Sequence, residues 1–212
     1  MYSYIIHWRY QMKISEIKQN TKAAMKGKWG LSIAVLIVYS LISSALSATV
    51  IGSLALGLLT VGLAAFFLDA LRSEKASFES FFKGFTEYLG TKFLSMILVS
   101  IYTALWAILL YIPAIVKSYA YAMTPYILLD KPELSANEAI TDSRMMMRGH
   151  KWQLFLLDLS FIGWILLSLL TFGILFIYVI PYMEAARAEF YRTLKGENEP
   201  KVAEDVAIEI PQ

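Results

Sequence analysis

LSIAVLIVYSLISSALSATVIGSLALGLLTVGLAAFFL, residues 31–68, carries no charged side chain. The run is about twice the roughly 20 residues that one helix needs to cross a bilayer. A soluble domain of 212 residues has too little interior to hide it. In hydrocarbon a chain must satisfy its own backbone hydrogen bonds, so the run should fold as a hairpin of two helices. Its spans are expected at 31–48 and 51–69, turning around Thr49 to Ser53.

Composition agrees with a membrane address. Hydrophobic residues make up 58% and charged residues 17%, with a mean hydropathy of +0.55. Soluble domains are typically about 45–50% apolar and about 25% charged. The absence of cysteine excludes disulfides, thiolate metal sites and cysteine nucleophiles. A net charge of +2 gives no case for a nucleic-acid partner. Residues 1–11 read as an N-terminal extension ahead of Met12. They lack the basic-then-apolar order and the small-residue cleavage site of a signal peptide.

Outward from the hairpin, Lys13 to Lys28 reads as an amphipathic helix. Ile14, Ile17, Thr21 and Met25 share one face, and Lys18, Lys22 and Lys26 another. Trp29 marks a membrane interface. Residues 74–90 put Phe78, Phe81, Phe82 and Phe85 on one stripe with Glu79, Lys83 and Glu87 opposite. This predicts a helix lying flat in the headgroup region, its aromatic face membrane-lying; a soluble helix packed on other elements is the alternative. A third span is expected at 93–112, ended by Pro113, which cannot continue the helical ladder. Residues 114–129, with Lys117, Tyr119, Tyr126 and Pro125, make a short fourth span. Ser135 and Glu138 have capping-box spacing ahead of a helix at 136–149. Spans five and six follow at 152–170 and 174–191, and 196–212 reads as a disordered acidic tail.

Positive charge sets the orientation. Of the Lys and Arg residues, only Lys117 falls outside the segments that lie on one side of this arrangement, so both termini are expected in the cytoplasm. The fold class that follows is an all-α polytopic membrane bundle of about six transmembrane helices, with amphipathic helices on its cytoplasmic face. One domain covers 12–195.

Several motifs carry a family resemblance. They are Met12-Lys-Ile, Met25-Lys-Gly-Lys-Trp-Gly30, Tyr111-Ile-Pro113, Tyr126-Ile-Leu-Leu-Asp-Lys-Pro132, Lys151-Trp152, Phe161-Ile-Gly-Trp164, Pro181-Tyr182 and Phe190-Tyr191. Together they resemble the bacterial integral membrane family called domain of unknown function 975, over about 12–195. The family commonly has Ile-Pro-Gly where this chain has Ile-Pro-Ala114. More distantly, Pro132 to Phe155 is similar to the membrane domain fused to some bacterial glycerophosphodiester phosphodiesterases. The resemblance implies a multi-pass bacterial membrane protein and no established activity.

Asp158 is the principal candidate for an intramembrane site. It lies six residues past Trp152, roughly 9 Å along a helix, where a charge costs about 2.5–3.5 kcal/mol unless it faces the bundle or water. It could serve a proton or cation path, or clamp neighbouring helices through a tyrosine hydroxyl. The clamp is favoured, because Phe155, Phe161, Ile162 and Ile165 make its helix face apolar. Lys117, Pro113, Tyr119 and Tyr126 are the other candidates for that site; Lys117 as a direct partner would require an unwound or tilted fourth span. Arg148, His150, Lys151, Trp152, Glu184 and Arg187 are candidate cytoplasmic interface residues, with Glu184 and Arg187 spaced to pair at i, i+3. No motif for hydrolysis, phosphate binding or metal binding is present, so no cofactor is expected. Membrane lipids, including anionic headgroups, are the expected partners, with a protein partner also open. The function expected is a non-enzymatic accessory or scaffold protein; a transporter using Asp158 and the Pro113 break is the alternative.

Overall fold

The computed structural model describes residues 13–47, 50–73, 76–83, 85–86, 88–109 and 111–197. The expected extension at 1–11 and the tail from 198 onward lie outside them, as does Thr49 of the turn expected at 49–53; residues 50–53 of that turn are helical instead. Among the described residues the helices are, in order, α1 (Ile14–Ala24), α2 (Trp29–Ser47), α3 (Val50–Arg72), α4 (Glu79–Lys83), α5 (Leu89–Leu109), α6 (Tyr111–Tyr121), α7 (Thr124–Asp130), α8 (Ala136–Met146), α9 (Lys151–Leu159), α10 (Ile162–Leu170) and α11 (Phe176–Leu194). No strand occurs among the described residues.

Helix α3 is the axis of the bundle. It packs against α2, α4, α5, α7 and α11, and its residues 61–68 are all buried. The long apolar run of the sequence is therefore two helices of different kind. Helix α3 is wrapped by protein, whereas α2 shows Ile37 and Leu41 to its surroundings. Such exposed apolar side chains on a long helix suit a hydrocarbon solvent.

By length and composition, three segments can cross a membrane: Trp29–Ser47, Ala55–Arg72 and Lys151–Leu170. Three, not six, meet that measure among the described residues. Leu89–Leu105 is apolar but shorter. The expected fourth span is two helices, α6 and α7, parted at Ala122–Met123. The expected sixth, α11, carries Glu184, Arg187 and Glu189. The fifth is divided at Ser160–Phe161 into α9 and α10.

Local chemistry explains several boundaries. The Ser135 side chain accepts from the Glu138 amide, and the Glu138 carboxylate accepts from the Ser135 amide at 2.8 Å, closing the expected capping box of α8. Helix α5 is described as far as Leu109 and α6 from Tyr111, so Pro113 lies within a helix rather than at the expected end of the third span. Lys28 reaches the end of α3, donating to the carbonyls of Ala70 and, at 2.6 Å, Ser73. A cation on the last carbonyls of a helix satisfies orphan acceptors and complements the dipole. Lys18 does the same after α9, donating to the Ser160 carbonyl at 2.9 Å with its ammonium 4.1 Å from the Phe161 ring centroid.

The segment 74–90 departs from expectation. Instead of one flat amphipathic helix, its described part is the five-residue α4 flanked by turns. Phe81 is fully buried, Phe78 and Phe85 are partly buried, and of the four only Phe82, at 46% exposure, faces outward. The reason is Gly62 on α3. A Cβ built there would lie 2.8 Å from the Phe81 carbonyl oxygen and 2.8 Å from the Phe85 ring. The aromatic stripe thus folds onto α3 through a gap that only glycine leaves open. Gly62→Ala should destabilise the protein by about 1–2 kcal/mol, the overpacking outweighing alanine's helix preference of about 1 kcal/mol. Thermal unfolding in detergent would read this as a lowered midpoint.

Candidate functional site

Asp158, on the last turn of α9, is held by two other helices. Arg187 of α11 forks onto its carboxylate, Nε donating to Oδ1 and Nη2 to Oδ2, each at 3.2 Å. The Tyr119 hydroxyl of α6 donates to Oδ2 at 3.1 Å. One turn before Arg187, Glu184 lies 3.6 Å from Nη1 of the same guanidinium. Both Asp158 oxygens are therefore engaged, and α6, α9 and α11 are tied at one point. A planar guanidinium suits this role because its fork fixes orientation as well as charge. The Phe155 ring stands edge-on to Tyr119, 6.1 Å between centroids.

A second cluster joins the ends of α3, α7 and α11. Arg72 forks onto Asp130 at 2.7 and 2.9 Å. Tyr191 and Lys195 donate to Asp130 Oδ2 at 2.7 and 2.6 Å. Glu197 accepts from the other edge of Arg72, from Arg192 at 3.2 Å and from Lys195 at 3.1 Å. Burial alone would raise the Asp130 carboxyl, but its bonds to Arg72, Lys195 and Tyr191 hold it well below the usual carboxylate range. Burial likewise opposes the Lys195 charge, and hydrogen bonds to Asp130 and Glu197 more than reverse it, raising the ammonium. Glu197 is lowered for the complementary reason, with Arg72 and Lys195 outweighing its desolvation.

The sequence candidates thus separate into distinct places. Asp158, Tyr119, Arg187 and Glu184 come together, with Glu184 and Arg187 paired at i, i+3 as their spacing suggests. The fork of Arg187, not Lys117, holds Asp158. Tyr126 is buried nearby, stacked on Tyr191 with centroids 5.2 Å apart. Pro113 lies on α6. Arg148, His150, Lys151 and Trp152 remain together at the α8–α9 turn, His150 Nδ1 lying 2.6 Å from the Gln153 side-chain oxygen. Glu197, expected in a disordered tail, is fixed by three cations.

Sequence reasoning missed the Asp130 cluster. Its one visible signal was Asp130 within Tyr126-Ile-Leu-Leu-Asp-Lys-Pro132; the pairing with Arg72 spans 58 positions and leaves no local mark. Among the described residues no group of three or more His, Cys, Asp or Glu could hold a metal ion. An apolar recess of about 220 Å³ lies between α2, α3 and the α4 segment, lined by Ile42, Leu46, Leu58, Leu59, Phe81 and Phe82 among others. It presents no polar atom and so no reactive group.

Residues 108–198 match the family described as protein of unknown function (DUF975), a stretch just under half of the chain. The match supports that family and covers the whole Asp158 clamp, together with the Asp130 cluster except Arg72. No curated protein and no solved structure matches the chain.

Proposed function

We propose that the chain is a multi-pass, non-enzymatic membrane scaffold or accessory protein with both termini cytoplasmic. Its charged face meets anionic lipid headgroups or a protein partner. The observation that carries this reading is the patch at the α8–α9 turn. Trp152 is 65% exposed beside exposed Arg144, Met145 and Arg148. Its ring is kept in place by stacking on Phe155, 5.0 Å between centroids. An exposed tryptophan among cations suits a membrane surface, where each Lys or Arg contributes about 1 kcal/mol. The helices of the α5–α7 and α11 regions complete a six-span arrangement in this reading. The similarity of Pro132 to Phe155 to the membrane domain of phosphodiesterases, a resemblance of sequence alone, points to the same face.

The test is complementation of a null strain by a chain carrying Arg144→Gln, Arg148→Gln, Lys151→Gln and Trp152→Ala. Complementation should fail although the variant reaches the membrane at normal abundance. Full complementation at that abundance would overturn the reading.

A transporter reading has one observation in its favour. Asp158 and Glu184 face a single guanidinium, so two carboxyl groups share one cation. It requires pH-dependent uptake or efflux that Asp158→Asn abolishes.

A further inference from the structure

The carboxylate of Glu197 sits in a niche built by other residues. Arg72 offers it Nε at 3.0 Å and a closer contact from Nη2. Arg192 Nε stands 3.2 Å away and Lys195 Nζ 3.1 Å away. Four donor atoms from three cations therefore converge on two oxygens. None of the three depends on Glu197 for its position. Asp130 forks the opposite edge of Arg72 and also holds Lys195, while Glu189 holds Arg192 at 2.8 Å. Each cation is anchored by a carboxylate behind it and keeps a donor in front.

The charge balance favours one kind of guest. Three cations against Asp130 and Glu189 leave one positive charge, which Glu197 neutralises. The niche therefore suits a monoanion. Its donors come from three directions: a guanidinium edge, a guanidinium Nε and a rotatable ammonium. That spread also matches the tetrahedral oxygens of a phosphate group. Arg72 ends a helix apolar and long enough to cross a membrane, and cations in that position meet lipid headgroups.

We propose that Arg72, Arg192 and Lys195 form a phosphate-binding site in which Glu197 is a tethered stand-in, displaced when a phosphodiester headgroup arrives. This deepens the lipid-facing reading above and rests on it only for the source of the phosphate. A tethered carboxylate competes at an effective concentration of about millimolar or higher. The site therefore fills where phosphate is dense, as at an anionic membrane surface.

The test uses the full chain purified in neutral detergent, titrated with inorganic phosphate and with short-chain phosphatidylglycerol, alongside Glu197→Gln and Glu197→Ala. Removing the tethered competitor should tighten the apparent affinity at least tenfold, by the effective-concentration argument. Adding Arg192→Gln to Glu197→Gln should abolish the gain. A gain for phosphatidylglycerol alone assigns the site to lipid headgroups; a gain for both assigns it to phosphate from any source. Folded variants that bind neither ligand more tightly than the wild type would overturn the proposal. Should neither variant fold, hydrogen exchange in the wild type decides. Exchange at 192–197 should rise as phosphatidylglycerol expels Glu197, and unchanged exchange at saturation would overturn it. Either result is independent of the Arg144, Arg148 and Lys151 variants, which test the broader reading.

Discussion

Arg187→Met should lower the stability of the protein by about 2–3 kcal/mol, because it strands the Asp158 carboxylate among apolar neighbours. Breaking a fully buried pair from one side typically costs about 3–5 kcal/mol. The lower figure applies because the Arg187 side chain is 39% exposed and Asp158 19%. Thermal or denaturant unfolding in detergent reads the effect. Asp158→Asn should cost less, since the amide still accepts from Tyr119. The informative comparison is the double variant Asp158→Leu, Arg187→Met. Apolar replacement of a whole buried pair is often neutral or stabilising, so the double variant should recover most of what Arg187→Met loses. A loss in the double variant equal to the sum of the losses in Asp158→Leu and Arg187→Met would mean that the residues do not act as a pair.

Asp130→Ala should be of similar size, about 3 kcal/mol, for a different reason. One carboxylate there accepts from Arg72, Tyr191 and Lys195, so its removal leaves three donors competing for Glu197 or water. The pH dependence has a fixed sign. The native carboxyl is depressed below its ordinary value, so its contribution is fully present above about pH 4, where an unfolded aspartate ionises. It is lost as pH falls from there through the lower native value. Wild type should therefore lose stability toward pH 2 more steeply than Asp130→Ala, and parallel profiles would contradict the assignment.

The helical class was legible because apolar runs and helix periodicity are local properties. Residues 31–68 specify a hairpin without reference to the rest of the chain, and Ser135 with Glu138 specifies a helix start within four positions. The clamp was half legible. Asp158 was conspicuous as a lone acid in an apolar run, and a tyrosine partner followed from its need for a donor. Arg187 was hidden because it stands 29 positions away and has a nearer apparent partner in Glu184. Residues 74–90 misled for an instructive reason. Their aromatic stripe has the spacing of a membrane-lying helix, but its destination depends on Gly62, a residue whose lack of side chain is its only signal. Lys18 and Lys28 look like solvated charges in sequence, although each closes the end of another helix. The six-span count illustrates the same limit. Periodicity places a helix, but whether α6, α7 and α11 cross a membrane depends on what covers their charges.

Asp158 and Arg187 form a closed clamp rather than part of a water-filled path. Single cysteines introduced at 155 and 161, beside Asp158, and at 148 as a reference test it most directly in this cysteine-free chain. Each would be challenged in sealed membranes with an impermeant thiol reagent from either side, leaving the ion pair intact. Labelling is expected at 148 from the cytoplasmic side, with protection at 155 and 161 from both. Labelling at 155 and 161 comparable to that at 148 would show water beside the clamp, contradict the structural role and move the transporter reading ahead.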